Sequence, residues 1–141
     1  MRLARKKMVK VAAGSLVLSR GGRFLIRRRP AGEIMGGLWE FPEWKLAREK
    51  TLSRAHVRQR VLEEAKKELG IEPEGLKHLG AVKRNYTHHL ETLEVFVSEL
   101  RAAEKVGLQN GWPHAWVTQK ELARYPFSSA HAKIAELIRP S

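Results

Sequence analysis

The chain has 141 residues, a formal charge of +12 and no cysteine. The length suits one domain with a real core, and 43% hydrophobic with 30% charged residues argues against wholesale disorder. Absence of cysteine excludes a disulfide scaffold, a thiolate zinc site, a cysteine nucleophile and a cysteine-ligated iron–sulfur cluster, and it points to a reducing, cytoplasmic setting. Arg2, Arg5, Lys6, Lys7 and Lys10 make residues 1–8 and their neighbour a basic N-terminal arm. The stretch after Met8 is broken by Lys10, Gly14 and Ser15, so it is not a signal peptide, and no apolar run approaches a membrane span. Charge on this scale predicts an anionic partner, nucleic acid first among them.

In chain order, residues 9–19 are apolar on both faces and predict a buried strand. Arg20-Gly21-Gly22 is turn chemistry, and RFLIRRR returns over 23–29 as the second arm of a hairpin. Pro30 to Leu38, with Gly32, Gly36 and Gly37, reads as a loop, and Trp39-Glu40-Phe41-Pro42 sets aromatics beside a chain reversal. A helix comes next, with Ser53 as N-cap and Gly70 just past its end. Val57, Val61, Leu62, Ala65 and Leu69 lie on one face of it. Residues 76–88 and 92–98 predict two strands, the second alternating Leu93, Val95 and Val97 with Thr92, Glu94 and Ser98. A last strand is expected at 115–118, with short helices at 119–124 and 128–138. No repeat or linker divides the chain, so one domain over 1–141 is expected.

RRRPAGEIMGGLWEFP, with a helix after it ending in EEAKKELGI, resembles the Nudix family. The resemblance implies an α+β fold, a mixed β-sheet sandwiched between α-helices. That family's motif ends its helix with R-E-U-x-E-E-x-G-U, where U is aliphatic. Here Glu63 takes the arginine place, Glu64 the first glutamate, Ala65 the aliphatic position, Lys67 and Glu68 the paired glutamates, and Gly70-Ile71 the close. Glu64 and Glu68 keep a one-turn spacing at which two carboxylates can converge on one Mg²⁺. Lys67 places an ammonium where a third carboxylate belongs and offers a partner to Glu63. Where the family has Phe-Pro-Gly-Gly-Lys, this chain has Phe41-Pro42-Glu43-Trp44-Lys45. The first reading of Glu64 and Glu68 is therefore a solvated helix face, and no cofactor is expected. Under the alternative reading they are the ligands of a Mg²⁺-dependent hydrolase of nucleoside diphosphate derivatives or oxidised nucleotides, with Glu40 or Glu43 as an added ligand.

A narrower resemblance covers nearly the whole chain. Arg29-Pro30 through Met35-Gly36-Gly37-Leu38-Trp39-Glu40-Phe41-Pro42, the triplet Tyr86-Thr87-His88, and Trp116-Val117 through Ile134 look like the C-terminal domain of the bacterial adenine DNA glycosylase family MutY, a degenerate Nudix domain. The resemblance implies a non-catalytic module that recognises 8-oxoguanine in double-stranded DNA. The Thr87 hydroxyl would contact the lesion, whose N7–H and O8 distinguish it from guanine. Tyr86 would stack or wedge beside the base, His88 would orient the hydroxyl or meet a phosphate, and Lys83 and Arg84 would attract phosphates. Adenine excision belongs in that family to a separate helical domain with an iron–sulfur cluster. None of that fits here, so a glycosylase catalytic domain, separate or linked, is the implied partner.

Other patterns carry less. The six histidines lack metal-ligand spacing, and His88 and His89 are expected on opposite faces of a strand. Ser128 and Ser129 read as helix N-cap residues. Trp39, Trp44, Trp112 and Trp116 read as core or lid aromatics, Trp44 being the one its loop would expose.

Overall fold

A computed structural model describes residues 7–101, 104–108 and 111–138. Most of the basic N-terminal arm lies outside them.

The first strand, β1 (Val9–Arg20), is the organiser because it is covered on every side. It pairs in parallel with β6 (His89–Glu99) along nearly its full length, from Val9↔His89 to Ser19↔Glu99. Its opposite edge is shared: Val11 to Ser15 pair with β4 (Glu43–Arg48), and Ser19 and Arg20 pair with β2 (Arg23–Arg28). β2 also pairs with the short β3 (Trp39–Glu40) and with β7 (His114–Thr118). β5 (Lys77–Tyr86) completes the sheet against β6. The β1–β6 pairing is parallel and the other strand pairings among the described residues are antiparallel, so the sheet is mixed. One edge of β1 serving two partners forces β2 and β4 apart, and a shift in the β1–β4 register between Ala12 and Ala13 adds to the divergence.

A helical layer covers each face. On one side, α1 (Arg54–Leu69) buries Val57, Val61, Ala65 and Leu69 against Leu16, Leu18, Leu25, Leu46 and Phe96. On the other, α2 (Ser129–Leu137) and a 3₁₀ turn (Glu121–Arg124) bury Ala130, Ile134 and Leu122 against Ala13, Val17, Ile26 and Val95. Leu16 and Leu18 thus face one core while Val17 faces the other, which explains why the β1 sequence is apolar without alternation. This is the expected mixed sheet between helices.

The helix signals in the sequence hold physically. Ser53 accepts a hydrogen bond from the His56 N–H at 3.1 Å, and Gly70 takes the left-handed conformation with φ 67°. Ser128 caps α2 in the same way, accepting from the His131 N–H. Leu62 is half-buried and packs against the same core as the rest of its face. Two expectations need correction. Residues 43–48 form a strand, and the pairing with β1 buries Trp44 to 8% exposure instead of leaving it out in a loop. His88 leaves the strand altogether: Tyr86 pairs with His89, so Thr87 and His88 are the two residues of a tight turn, with φ 40° and 62°.

Candidate functional site

The gap left by the divergence of β2 and β4 becomes a cleft of about 650 Å³. Its walls come from β2, the 30–38 loop, β4, the end of α1, β5 and the start of α2. Exposed Ile34 and Met35 stand on the loop wall, Met35 at φ 62°. Trp112 and Tyr86 add aromatic surface. Such a volume, with apolar surface set among many charged groups, suits a small organic ligand that is itself polar or charged.

The charged groups are a network of guanidinium and carboxylate. Arg27, on β2, has a side chain only 4% exposed. Its Nε donates to Glu40 Oε2 at 3.0 Å, one Nη to the Glu43 carbonyl at 3.1 Å, and the other Nη to Glu68 Oε1. Its guanidinium also stacks 4.8 Å from the Trp112 ring centre. Arg29 donates to the other Glu40 oxygen at 2.7 Å. Arg84, on β5, joins Glu43, at 2.5 Å, to Glu91, whose carboxylate is fully buried and also accepts from the Tyr86 hydroxyl at 3.1 Å. Burial works against the charge of Arg84, but Glu43 and Glu91 outweigh it and raise its pKa. A buried charge is tolerable only when paired, and each of these is.

Glu43 meets a further partner in His131 of α2, which is 1% exposed. The Phe41 N–H donates to His131 Nδ1 at 3.1 Å, so in the neutral ring the proton sits on Nε2. Nε2 faces Glu43 Oε1 at 3.3 Å, off the ideal hydrogen-bond line. Burial alone would raise the pKa of Glu43; His131 and Arg84 reverse that and hold it at about 2.

Glu40, Glu43 and His131 bring donor atoms within 4.8 Å of one another. They do not suit a divalent cation as they stand. His131 presents a protonated nitrogen, both Glu40 oxygens accept from arginines, and Glu43 is held by Arg84. Glu64 and Glu68 differ. Each side chain is 23% exposed, they lie one turn apart, and Glu68 reaches the cleft. Two hard oxygen donors of this kind match the way Mg²⁺ is held, by one or two carboxylates together with substrate phosphates. Glu64 lies 3.8 Å from Arg60, and Glu68 accepts from Arg27 and, at 2.8 Å, from Trp44 Nε1. Neither is a merely solvated residue, and because both Glu68 oxygens already accept hydrogen bonds, a cation there would have to share or displace the Arg27 and Trp44 donors.

The remaining sequence candidates fall at the rim. Tyr86 lines the cleft, stacked on His89 with ring centres 5.1 Å apart and with Lys45 Nζ 4.6 Å from the Tyr86 ring centre. Thr87 and His88 stand exposed at the turn just beyond it, and Lys83 is exposed on β5. Arg84 turns inward to its two carboxylates rather than outward. Sequence reasoning missed Arg27, Arg29, Glu91 and His131 as site residues. The one available signal was Glu91, which shares the inward phase of Leu93 and Val95 on β6.

Residues 14–137 match the NUDIX domain family. The chain belongs to that family. It is 30% identical over 135 residues to the CTP pyrophosphohydrolase of Escherichia coli (strain K12), an alignment covering 92% of this chain and 90% of the relative. It is 32% identical over 92 residues to the 8-oxo-dGTP diphosphatase of Proteus vulgaris, covering 65% and 77%. Among solved structures, the C-terminal domain of mouse MUTYH, in a complex with human PCNA, superposes with a TM-score of 0.66 at 24% identity, covering 90% of this chain and 86% of that one. That likeness is one of fold. The narrower MutY-like reading gains no residue-level support from it, whereas the two relatives matched by sequence are nucleotide hydrolases.

Proposed function

We propose that this Nudix domain hydrolyses a phosphate–phosphate linkage in a nucleoside triphosphate or a related nucleoside diphosphate derivative, including nucleotides with an oxidised base. The observation that carries the reading is Glu68 lining a nucleotide-sized cleft with Glu64 one helical turn behind it. Sequence relatives that act on CTP and on 8-oxo-dGTP support it. Glu64 and Glu68 would hold Mg²⁺, which when bound supplies charge stabilisation for a phosphoryl oxygen and acidity to water. The protein does the rest. Arg27 and Arg29, whose charge Glu40 and Glu68 compensate, would present N–H donors to a phosphate, while Trp112 and Tyr86 offer flat apolar surface to a base. Buried Glu40, Glu43 and Glu91 keep the arginines of the site in place rather than reacting. The test is release of pyrophosphate or phosphate from a panel of normal and oxidised nucleotides with Mg²⁺ or Mn²⁺. No metal-dependent release from any member would sink the reading.

The lesion-reading alternative keeps one specific observation in its favour. Thr87 stands at the exposed tip of a turn braced from beneath by Tyr86, Glu91 and Arg84, next to the cleft. With a charge of +12, this reading expects salt-sensitive duplex binding that is tighter when 8-oxoguanine is present. Thr87→Val would then weaken the preference more than the affinity. Equal binding of damaged and undamaged duplexes would remove it.

A further inference from the structure

Glu68 sits where α1 meets the cleft, and both of its carboxylate oxygens are engaged. Oε1 accepts from Arg27 and Oε2 from the indole N–H of Trp44 at 2.8 Å. Neither donor is loosely held. Arg27 is fixed by Glu40, by the Glu43 carbonyl and by Trp112; Trp44 is locked into β4, almost completely buried. The result is a cation and a neutral donor aimed at the carboxylate the hydrolase reading assigns to Mg²⁺.

We infer that Arg27 and Trp44 are positioning residues that latch Glu68, lowering its affinity for a free divalent cation until an anionic ligand enters the cleft. The inference rests on the hydrolase reading. Its physics is competition. A guanidinium in contact with one oxygen repels a second cation approaching the same carboxylate, and a hydrogen-bonded oxygen has less negative charge to offer. A diphosphate group brings its own charge into the cleft beside Arg27. Arg27 then shares its donors between Glu68 and phosphate, and the carboxylate becomes a better ligand. Phosphate and cation affinity are thereby coupled, and the coupling works in both directions. An enzyme built this way would avoid holding a metal without substrate.

The test is a Mn²⁺ titration of the full chain monitored by electron paramagnetic resonance, with no nucleotide present. Wild type is compared with Trp44→Phe, which removes one donor while keeping an aromatic of similar size, and with Arg27→Met. Loss of one charge-assisted hydrogen bond on Glu68 is expected to tighten Mn²⁺ binding about tenfold in Trp44→Phe, and at least as much in Arg27→Met. Adding Glu68→Gln to Trp44→Phe should return affinity to the wild-type level or below. The latch is overturned if both folded variants bind Mn²⁺ no tighter than wild type, or if the gain survives Glu68→Gln. Should Arg27→Met fail to fold, Trp44→Phe decides the matter alone. Nucleotide hydrolysis is scored separately. Hydrolysis by wild type without any Mn²⁺ gain in the variants rejects the latch and leaves the hydrolase reading intact; the gain without hydrolysis by wild type rejects the hydrolase reading.

Discussion

Arg27, near the end of β2, and Glu68, on the last turn of α1, form an ion pair that joins sheet to helix across 41 residues of sequence. The pair is one strand of a wider web in which Arg27, Arg29 and Arg84 compensate Glu40, Glu43, Glu68 and Glu91. The divergence of β2 from β4 creates the cleft, and these side chains line and brace it. Buried charge of this kind is costly to assemble and costlier to interrupt.

Glu91 is the deepest member, fully buried on β6 and accepting from both Arg84 and Tyr86. Glu91→Ala leaves the Tyr86 hydroxyl without its acceptor and Arg84 with Glu43 alone. Because Arg84 is itself partly exposed, the expected loss is about 2–4 kcal/mol, toward the lower side of that for a broken buried pair. Urea unfolding would show it as a lower midpoint at unchanged slope; a loss under about 1 kcal/mol would mean the carboxylate is not holding the web together.

Acid should act through Glu43. Its pKa of about 2 in the fold lies below the ordinary 4.5, so its ionised form contributes stability that is fully present above pH 4.5 and is lost as pH falls toward 2. The contribution is on the order of 2–3 kcal/mol. Unfolding free energies of wild type and Glu43→Gln, measured from pH 7 downward, should converge across that window. A difference independent of pH would contradict the assignment.

Core packing makes a separate prediction at Gly14 of β1. A Cβ there would come 2.3 Å from Val61 Cγ2 and 3.2 Å from Val57 Cγ1, both on the buried face of α1. Gly14→Ala should cost about 1–3 kcal/mol by overpacking. Combining it with Val61→Ala should cost less than the two substitutions added together, since the second makes room for the first. Additive losses, read by denaturant unfolding, would show that the strand shifts instead.

Much of the fold was legible because its signals are local. Ser53 and Gly70 bound α1, and the run from Val9 declares a strand covered on both faces, whereas the turn at Thr87 and His88 reads in the sequence as the end of a strand. Helical phase identified the inner face of α1, with four of its five residues buried and Leu62 half-buried against the same core. The strand at Glu43–Arg48 was hidden because its burial is decided by β1, which lies far earlier in the chain. The parallel β1–β6 pairing was hidden for the same reason. At the site, Glu64 and Glu68 stood out through a spacing rule on one helix. Arg27, Arg29, Glu43, Glu91 and His131 come from well-separated stretches of chain, and only the folded sheet brings their charges together. A charged residue in the inward phase of a strand, as Glu91 is, was the only local warning.

Glu64 and Glu68 are proposed to hold the metal of a nucleotide hydrolase. The most direct measurement is the initial rate of Mg²⁺-dependent pyrophosphate or phosphate release from CTP and from 8-oxo-dGTP, by wild type and by Glu68→Gln. The expected result is turnover of at least one of these nucleotides by wild type and a fall of about a hundredfold or more in the variant, as when a metal-holding carboxylate is lost. Undetectable release by wild type, or a Glu68→Gln rate equal to it, would contradict the claim.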